Sequence, residues 1–209
     1  MQIPGLADST PKQDSRLKSL FWPTIRTRVD LDTVTTQGFW ICTQVGCVTA
    51  AASLVGIREL LTILRPPGAA LSALAAIAAP MAVSSASAVA FFLLAGIGVR
   101  MQSRFAATAA FAAVLLYAGI DQIAGGQSFG VVRLVLLALL LANVRGTWLA
   151  ASFHPSEFDL PPTRPSGRWR TKLVDQWPAA IWPWGRYVFY VLAGMSLVLM
   201  LWNVLEWYE

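Results

Sequence analysis

The run from Val131 to Trp148 constrains this chain more than any other stretch. Its centre, Leu134 to Ala142, is wholly apolar, and Arg133 and Arg145 close it at either end. As an α-helix, with about 1.5 Å of rise per residue, the run spans roughly 27 Å, close to the ~30 Å hydrocarbon core of a bilayer. Long arginine side chains at its two ends would reach toward the headgroups on opposite faces. A stretch of this kind predicts a membrane-spanning helix, and several others along the chain repeat its length and composition.

Those repeats set the class. Of 209 residues 56% are hydrophobic and 13% charged, against about 25% charged in ordinary soluble domains. The bias sits in long apolar runs, which predicts an all-α, multi-pass integral membrane protein. The formal charge of +5 does not point to nucleic acid. The basic residues cluster beside the apolar runs, where headgroups and insertion rules account for them. The lipid bilayer is the expected partner.

Five spans are expected, at about 38–57, 79–99, 105–120, 131–148 and 187–205. They form a membrane domain over 38–208, preceded by a polar tail and interfacial segment over 1–37. The tail opens without an apolar signal region, so the first span is expected to direct insertion itself. Asp30, Asp32 or Thr33 could cap the helix that holds this span. The span ends at Arg58-Glu59, and Leu60 to Leu64 could extend it before Pro66-Pro67 stops any helix.

Gly68 to Val99 has no charge in 32 residues and contains Pro80. Ala69 to Ala79 is too short to cross alone, so one kinked or tilted helix is expected rather than two spans. Its stretch 78–90 is rich in small residues, Ser84, Ser85 and Ser87 among them. Such residues let helix backbones approach closely in lipid, where packing drives association.

Arg100 to Arg104 forms a short basic turn, Gly125 to Ser128 another turn, and 153–186 a long polar loop. Five spans put the tail, the basic turn and that loop on one side, with five, two and five of the sixteen Lys and Arg residues. The positive-inside rule then predicts a cytoplasmic N-terminus and an exported C-terminus. Splitting the 68–99 region into two spans would put the basic loop outside. Trp22, Trp182, Trp184, Trp202 and Trp207 flank the apolar runs and read as interfacial anchors.

The sequence offers little for chemistry. His154 is the sole histidine; Cys42 and Cys47 lie five apart, on different sides of one helix. Structural zinc takes about four ligands and membrane haem usually a pair, so no metal or cofactor is expected. No phosphate-binding glycine loop or nucleophile–base pair stands in the spans. Asp121 sits at the end of the third span and could be a proton carrier. Twelve residues later, across a turn, stands Arg133, and a structural Asp121–Arg133 ion pair is the simpler expectation. Asn143, in the fourth span, is expected to bond a neighbouring helix. The pattern points to a non-catalytic accessory or scaffold subunit of a larger complex in the inner membrane of a bacterium, with other membrane subunits as partners. A small oligomeric transporter or channel, with the Pro80 helix lining a path, is the alternative.

Overall fold

The computed structural model describes residues 25, 28–63, 71–125, 130–150, 174 and 176–206. Side chains are described for these apart from 28–29, 71–77, 121–125 and 199–206. The described residues are helical, without strands: α1 (Arg28–Ile63), α2 (Leu71–Arg100), α3 (Arg104–Gly125), α4 (Val131–Ala150) and α5 (Trp177–Glu206). Three regions, Asp30–Ile63, Ala78–Arg100 and Val131–Ala150, are long and apolar enough to cross a membrane, and Arg104–Ile120 is a shorter apolar helix.

Several boundaries differ from the expected ones, most of all at α5, which starts at Trp177, so that residues 177–186 of the expected polar loop are helical, with Pro183 inside the helix. α1 runs through Arg58-Glu59 to Ile63 without a break, in line with the expected extension over Leu60 to Leu64, and both charged residues lie exposed. Asp30, Asp32 and Thr33 lie inside α1 rather than capping it. The uncharged 68–99 region is a single helix from Leu71 onward, with Pro80 in its interior.

The helices alternate in direction. α1 packs on α2, α2 on α3, α3 on α4 and α4 back on α1, while α5 lies against α2 and α3. The α2–α3 turn is made by backbone bonds. Ser103 N–H donates to the Gly98 carbonyl at 2.9 Å and Gln102 N–H to the Val99 carbonyl at 3.0 Å, the pairing of a Schellman cap. Gln102 takes the left-handed conformation this turn requires, with φ of 58°. Ser103 then caps α3, its hydroxyl accepting from Ala106 N–H at 3.3 Å.

The core lies toward this turn. Phe91, Phe92 and Ala95 of α2, Ala106, Ala110, Ala113 and Val114 of α3, Leu140 of α4, Ile41 and Cys42 of α1 and Phe189 of α5 are buried together. The alanines of α3 let its neighbours come close. Phe189 stacks on Phe91 with ring centroids 5.2 Å apart and anchors α5. At Gly98 a Cβ would stand 2.4 Å from the Trp182 ring and 2.5 Å from Ala106 Cβ, so only glycine admits the indole between α2 and α3.

Beyond the core α1 and α2 continue further than the other described helices packed with them. At 1.5 Å per residue α1 is about 54 Å long, α2 about 45 Å and α4 about 30 Å. Among the described side chains, the buried ones of α1 fall between Asp30 and Gly46, and those of α2 between Phe91 and Val99. Hydroxyls along α1 bond to their own helix, Thr43 to the Phe39 carbonyl, Thr49 to Val45 and Ser53 to Thr49, each at 2.8 Å. Such bonds satisfy a hydroxyl where water is absent.

Candidate functional site

The polar groups that are buried gather between α1, α2 and α4, near the α2–α3 turn. Two constellations make up this region: a charged clamp at the helix ends and an amide-on-glycine contact one to two turns deeper.

Arg100, the last residue of α2, turns inward. Its side chain is 12% exposed. A terminal guanidinium nitrogen pairs with the Asp32 carboxylate of α1 and also donates to the Thr35 hydroxyl at 3.1 Å and the Asp32 carbonyl at 3.3 Å. Its Nε donates to the Val174 carbonyl, just before α5, at 3.0 Å. One side chain thus ties together the start of α1, the end of α2 and the approach to α5. The planar fork of arginine suits this task, since its donors are fixed in several directions at once. Thr35, fully buried, also donates to the Asp32 carbonyl at 3.2 Å.

Three residues along α1 from Thr35 lies Gly38. A Cβ there would stand 2.3 Å from Asn143 Oδ1 and 2.6 Å from Val99 Cγ1, so α1, α2 and α4 meet at this glycine. Asn143 is buried; its Nδ2 donates to the Leu139 carbonyl of its own helix at 2.8 Å. Among the described residues its Oδ1 meets no conventional hydrogen-bond donor, and it occupies the space a Gly38 Cβ would take. Contacts of a carbonyl oxygen with a Cα–H recur where helices cross closely and supply part of a hydrogen bond's stabilisation. Thr36 Oγ1 is likewise buried without a donor or acceptor among the described residues.

Asn143 was expected to bond a neighbouring helix; its oxygen faces one, while its amide N–H stays within α4. Trp182 packs partly buried beside the core, its ring centroid 6.0 Å from that of Phe189, whereas Trp184 is 80% exposed. Ser84 is exposed, and Ser87 donates to the Ser84 carbonyl at 2.7 Å. Cys42 is buried and Cys47 exposed, both as free thiols. Asp121 falls within α3 and Trp202 within α5, but their side chains, and the whole of Trp22, His154 and Trp207, lie outside the described residues. The Asp121–Arg133 pair is therefore outside them too.

Sequence reasoning missed the Arg100–Asp32 pair. Both residues stand at helix ends, where charges are usually solvated, so neither drew notice as a buried group. The signal available was their placement: a carboxylate in the first turns of one helix and a cation closing the next put opposite charges at one end of an antiparallel pair. Among the described residues no group of three or more His, Cys, Asp and Glu side chains could hold a metal ion. Comparison with protein-family models, curated proteins and solved structures finds no match for this chain.

Proposed function

We propose that this chain is a non-catalytic accessory or scaffold subunit of a larger membrane protein complex. In this reading it crosses a bacterial inner membrane five times, with its N-terminus in the cytoplasm and its C-terminus outside. One observation carries the scaffold role: the far half of the α1–α2 hairpin, with Leu54 at 70% and Val83 at 69% exposure, extends past the core. It includes the small residues Ser84, Ser85 and Ser87, which suit close approach by another helix. The buried polar groups, by contrast, are spent on holding the chain's own helices together.

The clamp supports the topology. It gathers the start of α1, the end of α2 and the approach to α5 at one end, and Arg104 of α3 meets Trp148 of α4 there. That end belongs with the basic tail, turn and loop, which the positive-inside rule assigns to the cytoplasm.

Extraction from native membranes in mild detergent tests the role. The expected product is a complex well above 22.7 kDa that contains different subunits. Deleting residues 1–19 is expected to weaken that association without preventing insertion. A lone monomer or a homo-oligomer would overturn the scaffold reading in favour of a small transporter. Alkaline phosphatase fused after Glu209 should be active; an inactive fusion beside an active cytoplasmic reporter would remove the five-span topology.

A further inference from the structure

Two arginines flank the outward side of α3 at the basic end, and each is held against an aromatic ring. The guanidinium carbon of Arg104, at the start of α3, stands 5.3 Å from the centroid of Trp148 on α4. The indole N–H of that tryptophan donates to Thr108 Oγ1 at 3.5 Å, which fixes the ring across α3 and α4. Arg186 of α5 lies 4.9 Å from the Tyr187 ring centroid and donates to the phenolic oxygen at 2.9 Å. Between the two cations Phe105 and Tyr190 meet edge to face, centroids 5.1 Å apart, and both remain about half exposed.

This arrangement has a chemical preference. A ring over one face of a guanidinium leaves in-plane N–H donors to turn outward, all of them at Arg104 and those not given to Tyr187 at Arg186, and such donors match the oxygens of a phosphate. Neither arginine meets a carboxylate among the described residues, so their charge is not cancelled there. Below them the exposed edges of Phe105 and Tyr190 are apolar and aromatic. A cationic fork above an aromatic wall fits a molecule with an anionic phosphate head and a hydrocarbon body.

We propose that this rim, formed by Arg104, Trp148, Arg186 and Tyr187 around the outward face of α3, binds the phosphate of an anionic phospholipid headgroup, with Phe105 and Tyr190 against the start of its acyl chains. The inference rests on the membrane reading above and adds a selectivity to it. A zwitterionic lipid presents the same phosphate beside its own cation and is held less well, while an anionic one adds its unbalanced charge.

The test reconstitutes the full chain in bilayers that mix phosphatidylcholine with phosphatidylglycerol and measures, with spin-labelled lipids, which one the protein retains at its surface. Enrichment of phosphatidylglycerol is expected. Arg104→Gln and Arg186→Gln should each lower it by about fivefold or less, the equivalent of one cation near an anionic surface. Arg58→Gln, an exposed arginine far along α1, should leave it unchanged. Equal losses at all three positions, or no preference in the wild type, would overturn the proposal. Inorganic phosphate is the competing probe: if it binds the rim while phosphatidylglycerol shows no enrichment, the site is one for a free anion and the lipid assignment fails. Incorporation without lipid preference removes this inference alone; failure to enter bilayers at all removes the membrane reading itself.

Discussion

The two halves of the α1–α2 hairpin share a composition and differ in almost everything else. Near the α2–α3 turn α1 presents Leu31, Val34, Thr35, Gly38, Ile41 and Cys42 to its neighbours, all buried. Past Gly46 it presents Cys47, Val48, Leu54 and Val55, all exposed. Apolarity therefore does not decide which half joins the core. In lipid an exposed valine costs nothing, and what selects a packed face is close fit and satisfied polar groups. The near half has both, in Gly38 under Asn143 and in the Arg100 clamp.

Mutations along this hairpin can break the contrast. Gly38→Leu should cost the most, about 3 kcal/mol, since a branched side chain must displace Asn143, Val99 or a whole helix. Gly56→Leu, where nothing stands within 4 Å of the Cβ position, should leave unfolding unchanged or slightly delayed. Paired thermal melts in detergent measure the difference, and equal effects at the two glycines would erase it.

Arg100→Leu should come next, at about 2 kcal/mol. It leaves the Asp32 carboxylate and the Val174 carbonyl without their donor, but the Asp32 side chain is 24% exposed, which lowers the loss below that of a fully buried pair. Adding Asp32→Asn should recover part of the cost; additive single effects in a double-mutant cycle would show that the two do not interact. Gln102→Gly should act in the opposite direction and least, with a gain of about 0.5–1 kcal/mol, because glycine adopts a positive φ without steric penalty. A loss of stability there would mean that the Gln102 side chain contributes more than its backbone costs.

Much of the architecture was legible from punctuation. Charges at Arg100 and Arg104 and glycines from Gly125 onward divide the chain where helices end, since these residues disfavour a continued apolar helix. The expected 153–186 loop is too long, because its last ten residues, Pro183 among them, belong to α5. The joining of Leu71 to Arg100 in one helix was legible as well: Ala69 to Ala79 was too short to stand alone. The lateral order of the helices was not. Helices apolar on every side carry no stripe to say which face turns inward, so Trp182 read as an interfacial residue although it packs beside Phe189. The clamp stayed hidden for a related reason. Arg100 and Asp32 are 68 residues apart, and only the antiparallel packing of α1 on α2 brings them together.

That separation has a consequence for biosynthesis. A ribosome adds about 5–20 residues per second, so Asp32 emerges roughly 3–14 s before Arg100 exists. A carboxylate left alone for seconds in hydrocarbon would have to take up a proton or draw in water. Near the start of α1 it can instead stay hydrated while the hairpin is being made, and it exchanges part of that water for its arginine once Arg100 has been delivered. Val174 follows 74 residues after Arg100, so the guanidinium waits in turn for its second acceptor. The bond to Val174 can therefore form only once the chain leading into α5 has been delivered.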